Sequence, residues 1–269
     1  MSRLHLHILG SGSKGNCALI EGPQGLIMVD DGLSRRETLK RMAELGLSAD
    51  DAYALVVTHE HSDHIKGLEV WCKHWNGPVF SSRGTLTSKE SLAHLPVEEF
   101  DPGDALSIAG VHIQTYSTSH DVVNPVGYRF DAQGDSVGFA TDTGELSKHA
   151  IDTLKDCRIL ALESNHDVTM LRQGDYPRFL QDSSLSVQGQ LAHEQAADAA
   201  RALVPDRTEQ LIAMHISQDN NRPSLTVKSY ASSLGATLDN ELGSAATRVE
   251  GLHKLTIRPA GQYRPMTIQ

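Results

Sequence analysis

The stretch Thr58-His59-Glu60-His61-Ser62-Asp63-His64 places three imidazoles and an aspartate within six residues. Neutral imidazole nitrogen and carboxylate oxygen are the donors that a borderline divalent cation takes, Zn²⁺ foremost, with Mn²⁺ or Fe able to occupy similar sites. The cluster directly follows the apolar run Tyr53 to Val57, so it begins where a strand ends. In a turn of that kind His59 and His61 can converge on one cation, while Asp63 and His64, opening the next helix, turn toward a second. Two metals are therefore expected. A single histidine in such a place reads as an exposed loop residue; the spacing His-x-His-x-Asp-His does not.

One turn supplies too few donors for two cations, so further ligands are expected at the ends of later strands. His120 follows the run ending Tyr116 to Ser119, Asp142 follows Val137 to Thr141, and His215 follows Leu211 to Met214. Singly, each histidine reads as a hydrogen-bonded surface group, and Asp142 before Thr143-Gly144 as a turn former. With the cluster they complete two sites of about four donors each.

The elements that must position these residues are short strands alternating with helices. Leu4, Leu6 and Ile8 alternate with polar neighbours, and Gly10-Ser11-Gly12-Ser13-Lys14-Gly15 then matches GxGxxG letter for letter. A dinucleotide site would need a helix to open at those glycines, but Asn16 to Ile20 reads as another strand, so the glycines form a hairpin loop. Leu26 to Val29 is a strand ending in Asp30-Asp31-Gly32, and Arg35 to Leu45 has helical periodicity stopped by Gly46. Ile65 to Trp75 and Arg83 to Leu92 are helix candidates, and Leu106 to Ile108 with Val111 to Tyr116 make a hairpin. Ser147 to Lys155 and the alanine-rich Leu191 to Val204 are helical, Ile159 to Leu162 is a buried strand, and a last helix lies near Leu225 to Leu234. With no repeat, low-complexity tract or linker, residues 1–269 read as one domain, and two batches of strands with helices between and after suggest two packed sheets with helices outside.

Composition narrows the function. With 24 basic and 34 acidic residues the net charge is −10, which argues against a broad basic face for nucleic acid. Arg35, Arg36, Lys40 and Arg41 fall along one helix and could track a phosphate strand, although a solvated helix face is the weightier reading. Cys17, Cys72 and Cys157 are odd in number and widely spaced, which indicates neither a disulfide framework nor a sulfur metal site and fits a reduced cytoplasm. The alternating N-terminus lacks the apolar core of a secretory signal, and no stretch approaches the ~20 apolar residues of a membrane span, so a cytoplasmic protein without membrane contact is expected.

In order, Asp30, the His59 to His64 cluster, His120, Asp142 and His215 resemble the motifs of the metallo-β-lactamase-fold hydrolases. That likeness implies an α/β fold, the αββα four-layer sandwich, with metals in a cleft at one edge of the sheets. It implies that His59, His61 and His120 hold one cation, that Asp63, His64 and His215 hold the other, that Asp142 bridges them, and that Asp30 braces the cluster without ligating. Leu9 to Asn16, Thr118 to Asp121, Pro125 to Tyr128, Glu163-Ser164-Asn165-His166-Asp167 and His215 to Asn221 are similar to the YycJ/WalJ branch, described as DNA exonucleases. Two departures stand out. Where a basic stretch and then Gly-His-Leu-Ser-Asn are expected, the chain has Arg178 to Asp182 and then Gly189-Gln190-Leu191-Ala192-His193, and Asp31 replaces a small residue after Asp30.

The resemblance implies a binuclear hydrolase, a phosphodiesterase or 5′–3′ exonuclease-like enzyme acting on DNA, RNA or a small phosphodiester through a metal-bridging hydroxide. Asp63 and Asp142 would carry that chemistry at the metals. His166, or His193 just beyond the altered motif, is a candidate to protonate the leaving oxygen, although a structural role is the weightier reading of each. The alternative is a carbonyl-directed hydrolase of thioesters, lactones or β-lactams on the same metals, since the fold alone does not fix the substrate.

Overall fold

Alternating apolar residues at the start of the chain fold as predicted. In the computed structural model, which describes residues 3–269, they form β1 (His5–Gly10), with Leu6 and Ile8 fully buried on one face. The chain makes two compact units. The first runs to Ser117, takes up Val122–Asp135 and ends with Gly261–Gln269; the second comprises Thr118–Asp121 and Ser136–Ala260.

In the first unit the glycine-rich loop turns β1 back into β2 (Cys17–Gly22) as a hairpin, and β3 (Gly25–Val29) continues antiparallel. Helix α1 (Arg35–Glu44), capped by the Ser34 hydroxyl, which accepts from the Glu37 N–H, carries the chain to β4 (Ala52–Val57), parallel to β3. Two short helices, α2 (Ser62–Ile65) and α3 (Leu68–Cys72), lead to β5 (Val79–Ser82), and β6 (Val97–Phe100) completes the parallel run. Residues 65–75 are thus not one helix. Gly67 donates to the Asp31 carbonyl, and a Cβ there would collide with the Leu33 carbonyl, so the chain breaks where it must pass close to the loop after β3. Arg83 to Leu92 is a run of hydrogen-bonded turns, not a helix. An antiparallel meander of β7 (Ala105–Ile108), β8 (Val111–Ser117) and β9 (Val126–Ala132) follows, its first turn made by Ala109 and Gly110, both left-handed.

The second unit is built on β10 (Asp135–Ala140), α4 (Lys148–Leu154) and β11 (Ile159–Glu163), every residue of β11 being buried. Helices α5 (Val168–Gln173), α6 (Arg178–Ser184) and α7 (His193–Leu203) precede β12 (Gln210–Met214), and α8 (Pro223–Leu234) precedes β13 (Thr237–Leu238), β14 (Ala246–Glu250) and β15 (His253–Pro259). Its strand order is β10-β11-β12-β15-β14-β13, parallel from β10 to β15. Strands buried on both faces read as unbroken apolar runs, as Ile159 to Leu162 and Leu211 to Met214 do. The chain then returns to the first unit as β16 (Met266–Ile268), which pairs antiparallel with β1. Among the described residues no helix is long and apolar enough to cross a membrane.

Candidate metal centre

In the first unit the ligand cluster occupies the turn between β4 and α2. His59 and His61 lie with ring centroids 4.9 Å apart, His59 and His64 4.1 Å apart, and Asp63 Oδ2 is 3.6 Å from His64 Nε2. The four predicted residues therefore come together. Their orientation is set by Asp30, which stands at the end of β3 with φ of 59°. Its Oδ1 accepts from the Thr58 N–H and its Oδ2 from the Thr58 hydroxyl, both at 2.8 Å, and Oδ2 is also 2.8 Å from His64 Nδ1. With Nδ1 protonated, His64 donates to that carboxylate. The Thr58 oxygen, its own hydrogen committed to Asp30, then accepts from His59 Nδ1 at 3.0 Å. Both rings thus keep Nε2 unprotonated, as a buried carboxylate behind a ligating histidine would impose, although the His64 Nε2 lone pair here accepts from the Asn16 amide.

Asn16, the last residue of the glycine loop, closes the other side. Its Nδ2 lies 3.0 Å from His64 Nε2 and donates to Asp63 Oδ2 at 3.1 Å, and its backbone N–H donates to the Asp63 carbonyl. The loop that mimics a dinucleotide fingerprint thus serves to bring an amide to the cluster. Tight approach is needed: a Cβ on Gly32 would collide with the Asp63 carbonyl. Asp31 is fully buried; desolvation lifts its pKa to about 7, opposed by the Thr38 hydroxyl donating at 2.9 Å and reinforced by the neighbouring Asp30 charge.

The second unit brings together His120, Asp142 and His215. Asp142 and His215 stand at strand ends in the left-handed region, with φ of 53° and 50°. Asp142 Oδ1 is 3.3 Å from His215 Nδ1 and 4.0 Å from His120 Nε2, and its Oδ2 accepts from the Thr141 hydroxyl at 2.6 Å. His120 Nδ1 faces the backbone carbonyls of Gln188 and Gly189 at 3.2 and 3.1 Å, which again leaves Nε2 for a cation.

Two residues without an assigned role join this group. Gln190 donates from Nε2 to Asp142 Oδ1 at 2.9 Å, and its Oε1 lies 3.1 Å from His215 Nδ1. One neutral amide thus clasps two predicted ligands, which fixes His215 with Nδ1 protonated and Nε2 available. Glu163, at the end of β11, is completely buried and accepts from the Thr143 and Leu191 N–H groups, with Oε1 3.5 Å from His215 Nδ1. Burial raises its pKa, with the His215 hydrogen bond opposing. Asp142, Glu163 and His215 form a buried three-donor group of metal-binding dimensions. The signal for Glu163 was present in the sequence as a carboxylate ending a wholly apolar strand.

His166 and His193 form a separate pair. The His193 N–H donates to the His166 carbonyl, and His193 Nε2 is 3.4 Å from Asp167 Oδ2. His166 is buried, and neither ring nitrogen has a hydrogen-bond partner among the described residues. Burial, and then the proximity of His193, push its pKa down to about 4 against the pull of Asp167. Arg41 does not track a phosphate: it is buried, giving Nη1 to the Leu9 and Gln262 carbonyls at 2.8 and 2.7 Å and Nε to Glu37.

Residues 26–216 match the family described as the beta-lactamase superfamily domain. The chain is 34% identical over 226 residues to the exodeoxyribonuclease YycJ of Bacillus anthracis, covering 82% of this chain and 86% of that one. It is 32% identical over 220 residues to the exodeoxyribonuclease WalJ of Streptococcus pneumoniae, covering 80% and 82%. The metallo-β-lactamase fold protein YhfI of Bacillus subtilis superposes with a TM-score of 0.69 at 14% identity over 98% of this chain and 100% of that one. The chain belongs to the metallo-β-lactamase-fold superfamily, in its YycJ/WalJ-like branch, and has that family's mixed α/β fold class, the αββα sandwich expected from its motifs. It is a metal-dependent hydrolase.

Proposed function

We propose that this chain is a binuclear phosphodiesterase of nuclease type, attacking DNA or RNA from the 5′ end. The observation that carries the proposal is the preorganisation of both ligand sets: the Nδ1 atoms of His59, His64, His120 and His215 face hydrogen-bond partners that keep each Nε2 unprotonated, as a ligating nitrogen must be. The donors are imidazole nitrogen and carboxylate oxygen throughout, which fits zinc and also admits manganese or iron. The relatives' exodeoxyribonuclease activity supports the choice of a phosphodiester substrate over a carbonyl one.

In this reading His59, His61 and His120 would hold one cation, Asp63, His64 and His215 would hold the other, and Asp142 would be available to both. Bound there, the cations would supply a water of lowered pKa for in-line attack and positive charge against the developing anion. The chain's own residues do the rest. Asp30 and Thr58 hold His59 and His64 in one tautomer, and Gln190 holds Asp142 against His215. His193, whose Nε2 lies 3.4 Å from the Asp167 carboxylate, can give a proton to the leaving oxygen. Burial keeps His166 neutral at pH 7. We treat the chain as one hydrolase domain, since the family match at residues 26–216 draws on both units, and place it in a reducing cytoplasm, which suits its free thiols.

The test is metal content together with turnover of bis(p-nitrophenyl) phosphate and of 5′-labelled single- and double-stranded oligonucleotides, with nitrocefin and a lactone as carbonyl controls. Two metals per chain and cleavage of the phosphodiesters alone are expected. Carbonyl turnover without phosphodiester cleavage would overturn the substrate assignment, and one metal at saturation would overturn the binuclear one.

A further inference from the structure

His5 and His7 stand two residues apart on β1, and side chains so spaced share one face of a strand. On the neighbouring strand Glu21 is paired directly opposite His5. All three side chains converge: His5 Nδ1 is 2.9 Å and His7 Nε2 3.1 Å from the same oxygen, Glu21 Oε2. One ligand-type atom from each residue lies within 4.8 Å of the others. The ring nitrogen of His7 that faces away, Nδ1, is 2.9 Å from the hydroxyl of Thr267, its register partner on β16. Nothing in the hydrolytic chemistry uses this group. It sits at the opposite end of β1 from Gly10 and the Asn16 loop, roughly 10 to 16 Å along the strand at about 3.3 Å per residue.

We propose that His5, His7 and Glu21 form an additional, structural site for a divalent cation of the zinc class, distinct from the candidate hydrolytic centre. Two imidazoles and a carboxylate are a zinc donor set, and water can complete the tetrahedron. With metal–ligand bonds of about 2.0–2.2 Å, tetrahedral donors lie about 3.3 Å apart, so the two nitrogens need to move only a few tenths of an ångström from the carboxylate oxygen they share. Thr267 supplies the hydrogen-bond partner that holds a ligating imidazole in one orientation. His7 is 3% exposed, and its burial, opposed by the Glu21 hydrogen bond, lowers its pKa and keeps the ring neutral at pH 7, as a ligand must be. Partial burial resists ionisation of Glu21, but hydrogen bonds from both histidines hold its carboxyl below its ordinary value, so it presents as an anion. A cation at this point would tie β1 to β2, and through His7 and Thr267 to β16.

The experiment compares zinc content, after loading with ZnCl₂ and removal of excess, between the wild type and the variants Glu21→Gln and His5→Gln. One equivalent less is expected in each variant, with a smaller zinc-induced rise in melting temperature and unchanged bis(p-nitrophenyl) phosphate turnover. Equal zinc in folded wild type and variants would overturn the site. Should either variant misfold, His59→Ala/His64→Ala/Asp142→Ala, with His5, His7 and Glu21 intact, is expected to retain one equivalent, and its holding none would also overturn the proposal. Neither the zinc count nor the melting temperature depends on the proposed activity, so that reading stands or falls separately.

Discussion

Asp30, Asp142 and His215 hold a left-handed backbone at strand ends. Aspartate and histidine tolerate that region better than most residues, and sparsely populated conformations of this kind persist where the surroundings over-determine them. Here the surroundings are the hydrogen bonds to Thr58 and His64, and to Thr141 and Gln190. Asp142→Asn keeps the backbone tolerance and a polar group for Gln190 while removing the charge. It should abolish hydrolysis of every substrate with little change in the unfolding midpoint, and retention of a tenth of the activity would rule out a shared metal ligand. Gln190→Ala removes a contact to Asp142 and His215 without removing either proposed ligand, so metal affinity should fall about 10- to 100-fold, read by competition with a fluorescent chelator. Asp31 gives a pH signature. Its folded pKa of about 7 lies above the unfolded value, so the stability it allows is fully present below pH ~4 and is lost as pH rises through 7, up to about 4 kcal/mol by the linkage of pKa to stability. In metal-stripped protein Asp31→Asn should therefore gain stability over wild type at pH 8 relative to pH 5, measured by urea unfolding at both. An equal difference at the two pH values would mean that Asp31 ionises normally.

At the scale of elements, the legible parts were those written locally. The strand before each ligand announces itself as an apolar run, and the Thr58 to His64 turn follows β4 where expected. The hairpin reading of Gly10 to Gly15 rested on the strand character of Asn16 to Ile20, which β2 bears out from Cys17. What escaped were features decided by distant partners. Helical periodicity from Ile65 to Trp75 could not reveal that Gly67 must pass the Leu33 carbonyl, and the amphipathic look of α1 could not reveal that Arg41 is turned inward to Leu9 and Gln262. The roles of Gln190 and Glu163 depend on β11 and the loop before α7 arriving beside Asp142 and His215. The strands β13 to β16 are short or half-exposed and carry little pattern. The break at Gly67 supports a direct test. A Cβ there would meet the Leu33 carbonyl and the Asp31 carboxylate, both fixed, so Gly67→Ala should destabilise by about 1–3 kcal/mol, the usual cost of overpacking. A urea midpoint within error of wild type would show that the loop after β3 yields freely.

For the whole molecule the governing quantity is the net charge of −10 set against the polyanionic substrate proposed for it. A protein that holds nucleic acid along its length neutralises several phosphates with lysine and arginine, and its affinity falls steeply with salt. This chain has turned one helix arginine, Arg41, inward, and has committed Lys40 to Glu37 and Glu44 and Arg83 to Glu99 and Asp101. At position 190, where the branch is expected to carry an imidazole, it has an amide already engaged by Asp142 and His215. Substrate attraction should thus be local to the metals and a few neighbouring groups. Long duplex DNA should bind weakly, activity should favour short oligonucleotides and small diesters, and the salt dependence of KM should be shallow because few counterions are released. Gln190→His should shift this balance, raising oligonucleotide cleavage more than that of a small nitrophenyl diester when compared at equal metal content. The gain should be clearest below pH ~6.5, where an unperturbed imidazole is charged. Efficient degradation of long duplex DNA by the wild type at physiological salt, or an equal response of both substrates to Gln190→His, would show that the phosphate path lies elsewhere and that the overall charge does not limit this enzyme.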